Sequence, residues 1–412
     1  MPPDHLRWGI AGIGSGASNL LAGFKSNPHT RVTAAADVRR EAVAAFGREF
    51  DCRTYLSVEE MCKDPEVDAV WVATPNHLHA EHVITAAQHG KHVTVSKPMA
   101  LTIEECEAMN AAAERSGVVL LCGHTQSMLP AVRKMAEVVW SGQYGRLGMI
   151  HSWHYSDWIY RPRMPYELDV SKGGGVVFRQ SPHHIDIVRL IAGGIVKSVR
   201  AQTLVLDPAR NAPGAFTAYL EFEGRVPCTL VYNGYGHFGS HELTFGRGYS
   251  PGRVPRGTTP GDDEANLKEA RRYTADRASR VLGPESREDG EPGSSSGPAT
   301  RDSGLPEPRH GAFGLTIVSC ERADIRQSPR GLWVYDDDGK HEIEVEKDAL
   351  RGEAEFEEMY QAVVNGQHPI HDGRWGEATH EVTLAIMESA RTSREIFLSH
   401  QVAVPPQARV AY

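Results

Sequence analysis

The stretch Gly12-Ile13-Gly14-Ser15-Gly16-Ala17 closes a short apolar strand predicted for residues 7–13 and opens a helical pattern that runs to about residue 25. It has the form GxGxxA, with small residues where the chain must turn sharply and pack closely. Glycines there let backbone N–H groups approach a pyrophosphate, which the N-terminus of the following helix also favours. The candidate dinucleotide-binding residues of this turn are Gly12, Ile13, Gly14, Ser15 and Ala17.

A second strand, predicted for residues 31–36, ends at Asp37, about twenty residues beyond the glycines. A carboxylate at this position accepts hydrogen bonds from the adenosine ribose hydroxyls and repels a 2′-phosphate. Asp37 therefore predicts NAD as the cofactor. Arg39 and Arg40 follow closely and could pair with a phosphate, so NADP stays open as an alternative.

Strands and helices continue to alternate as far as residue 122, which predicts six strands in one doubly wound parallel sheet. The strand predicted for 68–74 runs into Ala-Thr-Pro-Asn-His-Leu-His at 73–79. Thr74, Asn76 and His79 are candidate cofactor contacts, because small side chains leave room and the polar ones supply donors. Five histidines fall between residues 77 and 92, but three of them lie along one predicted helix face, and no metal site is predicted.

The β-branched run at residues 92–95 predicts a buried strand that delivers Lys97-Pro98 to its carboxyl end. In open parallel sheets, ligands gather outside this edge. Proline fixes its own φ and restricts the residue before it, so the lysine backbone is held stiffly. Lys97 is thus a candidate catalytic and cofactor-contacting residue. The alternative is a surface lysine in the loop before the helix predicted from Thr102.

The pattern changes beyond residue 126. Residues 1–126 form the predicted dinucleotide-binding Rossmann domain, and residues 127–412 an α+β domain with a large, mostly antiparallel, open-faced sheet. Strands are predicted at 149–157, 196–206, 215–223, 226–235, 241–245, 313–322, 331–335 and 341–345, with helices at 353–365 and 376–397. Residues 247–309 are rich in Pro, Gly and Ser and are interpreted as a flexible insertion, which could be a lid, an oligomer arm or a segment without specific function.

Composition narrows the class of protein. With 412 residues, 40% apolar and 24% charged, the chain is typical of a two-domain globular protein. A net charge of −9 argues against nucleic acid or an anionic membrane as the main partner. The sequence has no long apolar run and no signal-peptide pattern. Its six scattered cysteines are interpreted as reduced thiols. These features predict a cytoplasmic protein.

Four marks together resemble the glucose–fructose oxidoreductase / inositol dehydrogenase / MocA family: GxGxxA at the N-terminus, ATPNxxH at 73–79, Lys97-Pro98, and the Gly-rich segment from Gly173 to His183 and Asp186. The resemblance covers nearly the whole chain outside 247–309. It implies hydride transfer between a carbinol carbon and a nicotinamide cofactor. It also implies Lys97 and His183 as catalytic residues, and a homodimer or homotetramer formed through the C-terminal sheet.

Two positions depart from the family pattern. Ser96 stands where the family usually has glutamate before Lys-Pro, and Arg179 stands where it usually has an aspartate four residues before the histidine. The segments around Gly173 to Asp186, 232–235 and 333–336 look most like the branch of phthalate cis-4,5-dihydrodiol dehydrogenases. A guanidinium binds carboxylate in a two-pronged manner, so Arg179, together with Arg161 and Arg163 of a basic aromatic loop, is a candidate contact for an anionic substrate. The alternative is an ion pair of Arg179 within the fold, for example with Asp186.

The expected reaction is oxidation of a carboxylated cis-dihydrodiol to a catechol, with Lys97 or His183 taking the hydroxyl proton as hydride leaves. One alternative is a dehydrogenase of the same family that acts on a sugar acid or polyol. Another, of a different class, is a catalytically silent dinucleotide-binding regulator, although the presence of both Lys97 and His183 argues against it.

Overall fold

A computed structural model describes residues 4–14, 21–123, 126–161, 163–245, 310–347 and 352–406. The chain divides into two compact units. The first contains the described residues up to 123 together with 352–380, and the second contains 126–245, 310–347 and 381–406. The interpretation of residues 247–309 as a flexible insertion concerns a segment that lies outside the described residues. No helix among the described residues is both long and apolar enough to cross a membrane.

The first unit is built on the predicted six-stranded parallel sheet. Its strands are β1 (Leu6–Ala11), β2 (Thr30–Ala36), β3 (Arg53–Tyr55), β4 (Ala69–Val72), β5 (His92–Ser96) and β6 (Leu120–Gly123). The order across the sheet is β3-β2-β1-β4-β5-β6. The strand order reverses between β1 and β4, which is where doubly wound sheets bind ligands.

The helices of this unit cover both faces of the sheet. They are α1 (Leu21–Ser26), α2 (Arg40–Phe50), α3 (Val58–Cys62), α4 (His79–Gln88), α5 (Ile103–Ser116) and, from the end of the chain, α8 (Glu353–Val364). Alternate residues of β4 face opposite cores: Val70 and Val72 belong to one cluster, Ala69 and Trp71 to the other. Both faces are buried, so the strands read as continuous apolar runs.

Helix α8 lies in the first unit, although the sequence placed all of residues 127–412 in the second domain. Its Phe356 is fully buried and packs with Trp8, Phe24 and Trp71, at ring-centroid distances of 5.2, 3.7 and 5.4 Å. The physical reason is that the face of the sheet bearing Trp8 and Trp71 needs an apolar cover, which α8 supplies. The domain division at 126 is therefore corrected for residues 352–380.

The second unit has nine described strands. They are β7 (Leu147–Tyr155), β8 (Val196–Leu204), β9 (Ala215–Phe222), β10 (Pro227–Asn233), β11 (Leu315–Cys320), β12 (Ala323–Gln327), β13 (Gly331–Asp336), β14 (Gly339–Glu344) and β15 (Ile396–Phe397). Their order is β14-β13-β12-β11-β7-β10-β9-β8-β15. Only the β7–β10 pair among these is parallel, so the sheet is mostly antiparallel, as predicted.

Two helices of this unit are α6 (Pro130–Trp140) and α7 (Gly175–Ala192), and α9 (Gly373–Thr392) begins in the first unit and ends in the second. Helix α7 contacts β7, β9 and β10. The inward side chains of these strands, such as Ile150, Leu230 and Leu220, are fully buried. The opposite face carries half-exposed Met149, Trp153 and Tyr219.

Some predicted elements of the second domain are wrong. Residues 241–245 do not form a strand: a 3-10 turn at Ser240–Glu242 stands there instead. The Ser240 hydroxyl bonds to both the N–H and the C=O of Tyr155, and such local side-chain bonds compete with strand pairing. The strand predicted at 313–322 is confirmed as β11, whereas β12 was not predicted, and the helix predicted to residue 397 ends at Thr392 before β15.

Candidate active site

The glycine-rich turn lies at the carboxyl end of β1. Gly12 has a φ of +88°, and a Cβ on it would come within 3.0 Å of the carbonyl oxygen of Ala73 and of Thr74 atoms. Only glycine fits this position, because both the left-handed conformation and the close approach of the β4 loop exclude a side chain. A Cβ on Gly14 would contact no described atom within 4 Å, which leaves open space beside the turn. Ser15 and Ala17 lie outside the described residues.

Asp37, directly after β2, is held against this turn. Its carboxylate accepts hydrogen bonds from the backbone N–H of Ile13 at 2.8 Å and of Arg39 at 2.9 Å, and its side chain is only 8% exposed. Burial by itself raises the pKa of Asp37, but hydrogen bonds from the Arg39 side chain and from the two amides outweigh it and lower the pKa below its usual value. Asp37 is therefore ionised at neutral pH.

The loop after β4 carries Thr74, Asn76 and His79. Asn76 is buried and begins a short 3-10 turn, and the Thr74 hydroxyl lies 3.0 Å from Nδ1 of His82. Burial lowers the pKa of His82, which favours a neutral imidazole there. These side chains and Lys97 stand at the carboxyl ends of β4 and β5, two adjacent strands of the sheet.

His79 is fully buried and links two loops of this edge. Its Nε2 lies 2.9 Å from the carbonyl oxygen of Thr74 and its Nδ1 2.9 Å from that of Pro98. The sequence predicted that His79 donates a hydrogen bond to the cofactor. In the structure its two ring nitrogens instead contact backbone carbonyl oxygens of the protein. The imidazole ties the β4 loop to the residue that follows Lys97.

Lys97 directly follows β5 and is partly buried. Five residues later α5 begins with a capping box: the Thr102 hydroxyl accepts from the Glu105 N–H at 3.2 Å, and the Glu105 carboxylate accepts from the Thr102 N–H at 3.3 Å. The strand end and this cap fix the chain on both sides of Lys97. The Gly12–Gly14 turn, Asp37, Thr74, Asn76 and Lys97 thus follow four strands that are neighbours in the first sheet.

In the second unit, His183 and Arg179 lie one turn apart on α7. His183 is 7% exposed, and its ring centroid is 4.9 Å from that of Phe313. The next residue, His184, is fully buried, and burial lowers its pKa to about 3, so it is neutral at physiological pH. His154 is likewise held neutral, because its pKa is lowered well below the usual value by burial.

Arg179 forms an ion pair with Glu167, so the alternative of an ion pair within the fold is observed, with Glu167 as a partner. Its Nη2 lies 2.9 Å from Oε1 of Glu167, and Nη1 of Arg163 lies 3.5 Å from the same oxygen. Burial alone raises the pKa of Glu167, but the charges of the two arginines and the Met164 N–H lower it overall. Sequence reasoning missed Glu167, although its spacing four residues after Arg163 is typical of an ion pair.

The loop that holds Glu167 is packed tightly against the start of α7. A Cβ on Gly174 would lie within 2.8 Å of backbone atoms of Asp169 and Glu167. The Gly174 N–H also donates to the carbonyl oxygen of Asp169 at 2.8 Å. The Gly-rich segment singled out in the sequence therefore places Glu167 within reach of Arg179.

Arg161 and Arg163 complete a group that we call the arginine cluster, consisting of Asp157, Arg161, Arg163, Glu167 and Arg179. Arg161 pairs with Asp157 at 2.7 Å. Arg163 stacks on Trp158, with its guanidinium carbon 3.8 Å from the ring centroid, and burial lowers its pKa to about 10. Three guanidinium groups face two carboxylates, so the cluster carries one excess positive charge.

The open glycine turn and the ionised Asp37 fit a dinucleotide, and they define the first unit as a dinucleotide-binding domain. Family comparison agrees: residues 6–124 match the family described as "Oxidoreductase family, NAD-binding Rossmann fold", and residues 132–245 match "GFO/IDH/MocA C-terminal domain". The chain belongs to the Gfo/Idh/MocA family of NAD-dependent oxidoreductases, whose members include dehydrogenases that act on CH–OH groups.

Individual relatives extend this comparison. The chain is 32% identical, over 94% of its length and 95% of the relative's, to 1-carboxy-3-chloro-3,4-dihydroxycyclohexa-1,5-diene dehydrogenase of Comamonas testosteroni. A dehydrogenase from Bordetella bronchiseptica RB50 has a crystal structure that superposes with a TM-score of 0.80 at 33% identity, over 96% of this chain and all of that one. WlbA dehydrogenase from Bordetella pertussis, solved with NADH and UDP-GlcNAcA, shares the fold, with a TM-score of 0.67 at 19% identity over 96% and 99% of the two chains.

Proposed function

We propose that this oxidoreductase oxidises a carboxylated cis-dihydrodiol to the corresponding catechol. The observation that carries the proposal is the arginine cluster, with its excess positive charge around Arg179, Arg163 and Arg161. A buried guanidinium selects carboxylate, because it offers five donors and no acceptor. The Comamonas testosteroni relative, whose name describes a carboxylated dihydroxycyclohexadiene, supports the same substrate class.

NAD+, held at the glycine turn and Asp37, supplies the hydride acceptor. In the proposed reaction the carbinol C–H bond breaks with its electron pair, and the hydroxyl proton passes to the Lys97 amine or the His183 imidazole. The resulting ketone then loses a ring proton and gains one on oxygen to become the catechol. Because aromatisation is strongly favourable, this last step shifts the equilibrium of the overall reaction towards oxidation.

The second candidate is a sugar-acid dehydrogenase, since its substrate would also present a carboxylate. The Glu167 carboxylate beside Arg179 favours this candidate specifically, because it can accept hydrogen bonds from additional hydroxyl groups. A neutral polyol offers no carboxylate to the guanidinium groups of the cluster.

We also propose that the protein is a homodimer or homotetramer, assembled through the half-exposed face of the second sheet. Met149, Trp153 and Tyr219 lie on this face and are 41%, 38% and 42% exposed. A face with several exposed aromatic and apolar side chains is typical of an interaction surface.

The test of the substrate class is NADH formation, measured with a carboxylated cis-dihydrodiol, its neutral analogue and a sugar acid. Arg179→Ala should lower kcat/KM for a carboxylated substrate about 10- to 100-fold, because hydrogen bonds to charged groups contribute roughly 1.5–3 kcal/mol. The loss on the neutral diol should be much smaller. Arg330→Ala is the control, since Arg330 pairs with Glu342 and Glu344 at the β12–β13 turn.

An equal loss on carboxylated and neutral substrates, together with a lower melting temperature, would show that Arg179 only stabilises the fold. Turnover of the sugar acid without turnover of the dihydrodiol would favour the second candidate. An absence of NADH formation with every substrate would leave the proposed reaction without support.

A further inference from the structure

Helix α4 presents two histidines to a single residue, Thr74. His79 and His82 are three positions apart on this helix and therefore share one of its faces. Nε2 of His79 lies 2.9 Å from the carbonyl oxygen of Thr74, and Nδ1 of His82 lies 3.0 Å from the hydroxyl oxygen of the same residue. His79 thus fixes the backbone of the loop after β4, whereas His82 contacts the side chain.

Thr74 stands where the strand order of the first sheet reverses. It follows β4, and β4 pairs with β1, whose carboxyl end leads into Gly12. A Cβ on Gly12 would come within 3.0 Å of both the backbone nitrogen and Cγ2 of Thr74. The methyl group of Thr74 is therefore beside the glycine turn, and its hydroxyl is beside His82. Because ligands of doubly wound sheets bind at this point, the Thr74 side chain borders the place of the dinucleotide.

The hydrogen bond to His82 selects one rotamer of Thr74. The methyl group and the hydroxyl of a threonine have similar sizes, so packing against Gly12 alone would also accept the rotamer in which the two are exchanged. In the exchanged rotamer the hydroxyl would face Gly12 and lose its contact with His82. The imidazole therefore decides where the hydroxyl points.

The direction of this hydrogen bond follows from the state of the imidazole. Burial lowers the pKa of His82, so the ring is neutral at physiological pH and has one acceptor nitrogen. The Thr74 O–H needs an acceptor, and Nδ1 of His82 is the one that the described residues place within reach. With its proton directed at Nδ1, the hydroxyl oxygen offers only lone pairs to a ligand. It can accept from a ribose hydroxyl or from the carboxamide of the cofactor, but it cannot donate to the pyrophosphate.

We propose that His82 is a positioning residue of the cofactor site: it holds the Thr74 hydroxyl so that the oxygen accepts a hydrogen bond from an O–H or N–H group of the dinucleotide. His82 acts through Thr74 and does not itself contact the cofactor. The proposal concerns the binding of NADH alone, so its test needs no substrate and is independent of the proposed reaction.

The experiment is equilibrium titration of the full-length protein with NADH, followed by cofactor fluorescence. His82→Leu should raise the Kd about 3- to 10-fold, the loss expected for one hydrogen bond. His82→Asn should restore most of the affinity, because its amide oxygen can replace Nδ1 as the acceptor. Leucine and asparagine have similar shapes, so a purely structural role would not separate the two variants. His89→Leu, at the exposed end of α4, is the control and should leave the Kd unchanged.

Thr74→Val tests whether His82 acts through Thr74. It replaces the hydroxyl by a methyl group and should raise the Kd for NADH by a similar factor. The double variant Thr74→Val/His82→Leu should lose no more affinity than Thr74→Val alone. The 3-acetylpyridine analogue of NADH, which has a methyl group in place of the carboxamide NH2, then identifies the donor. A Thr74→Val effect that persists with the analogue indicates a ribose hydroxyl, and one that disappears indicates the carboxamide.

Melting temperatures establish that each variant is folded. An unchanged Kd in His82→Leu or in Thr74→Val would overturn the proposal. A lower Kd in His82→Leu would also overturn it, because the released hydroxyl would then be donating to the pyrophosphate. Equal losses in His82→Leu and His82→Asn, or single losses that multiply in the double variant, would show that His82 does not act as the acceptor for Thr74.

Discussion

At the scale of single residues, the sequence motifs predict two catalytic side chains. Lys97 and His183 were singled out by motif, and the structure places each at a defined point: Lys97 directly after β5, and His183 on α7 against Phe313. The adjacent His184 is neutral because burial lowers its pKa to about 3. An imidazole with so low a pKa is a weak proton acceptor, so of the two neighbouring histidines His183 is the one that we propose for catalysis.

Lys97→Ala and His183→Ala should each lower kcat about 10²- to 10⁴-fold, because each removes a positioned proton acceptor. The Kd for NADH should change little. If both residues serve one proton transfer, the double variant should lose less than the product of the single losses. Steady-state kinetics with any active substrate measure this.

Lys63→Ala is the control for loss of a lysine, since Lys63 is 57% exposed and pairs with Glu59. Near-normal turnover in Lys97→Ala or in His183→Ala would remove that residue from its proposed role.

At the scale of elements, the loops after β4 and β5 are joined through one side chain. His79 contacts the carbonyl oxygens of Thr74 and Pro98, and its position at the first turn of α4 is what brings it between them. From the motif ATPNxxH we predicted that this histidine contacts the cofactor. Its partners became evident only when the two strand ends were placed side by side.

His79→Ala should lower kcat about 10- to 100-fold, since a shift of about 1 Å in a catalytic group can cost a hundredfold in rate. The Kd for NADH should rise less than kcat falls. His89→Ala, in the exposed residue that follows the C-terminal end of α4, should have no effect. A fall in melting temperature with unchanged kcat would indicate that His79 serves stability alone.

The packing of helix α8 also depends on residues that are distant from it in the sequence. Phe356→Ala should destabilise the first unit by about 3–5 kcal/mol, because it opens a cavity among Trp8, Phe24 and Trp71. Chemical denaturation monitored by tryptophan fluorescence measures the change. Phe397→Ala, in a side chain that is 76% exposed, serves as the comparison and should change stability by less than about 0.5 kcal/mol. Equal effects of the two substitutions would argue against α8 as a cover for the sheet.

At the scale of the whole molecule, the second sheet buries one face under α7 and presents Met149, Trp153 and Tyr219 on the other. The proposed homo-oligomer uses this second face. Trp153→Glu should therefore shift the protein toward monomer in light scattering coupled to size-exclusion chromatography. Leu206→Glu, in a residue that is 61% exposed beyond β8, should leave the mass unchanged. A wild-type protein that is monomeric at micromolar concentration would contradict the proposal.

Local sequence patterns were enough to predict the first sheet and the residues that follow its strands. Strand and helix periodicity predicted six parallel strands, and GxGxxA, Asp37 and Lys97-Pro98 followed their carboxyl ends. These signals are local: a strand–turn–helix unit fixes its own backbone, and the parallel arrangement then brings successive strand ends to one edge. The same local patterns predicted most strands of the second sheet.

Contacts between residues that are distant in the sequence could be read only from the folded chain. The folded chain pairs Arg179 with Glu167, places the Arg39 guanidinium on Asp37, and brings Phe356 to Trp8 across more than three hundred residues. The periodicity of apolar residues predicts which face of a helix or strand is buried, but it does not predict which element packs against that face. Ion pairs form where loops bring charged side chains together, and a helix packs where an apolar face of a sheet is still exposed. Both depend on the fold of the whole chain and not on local sequence.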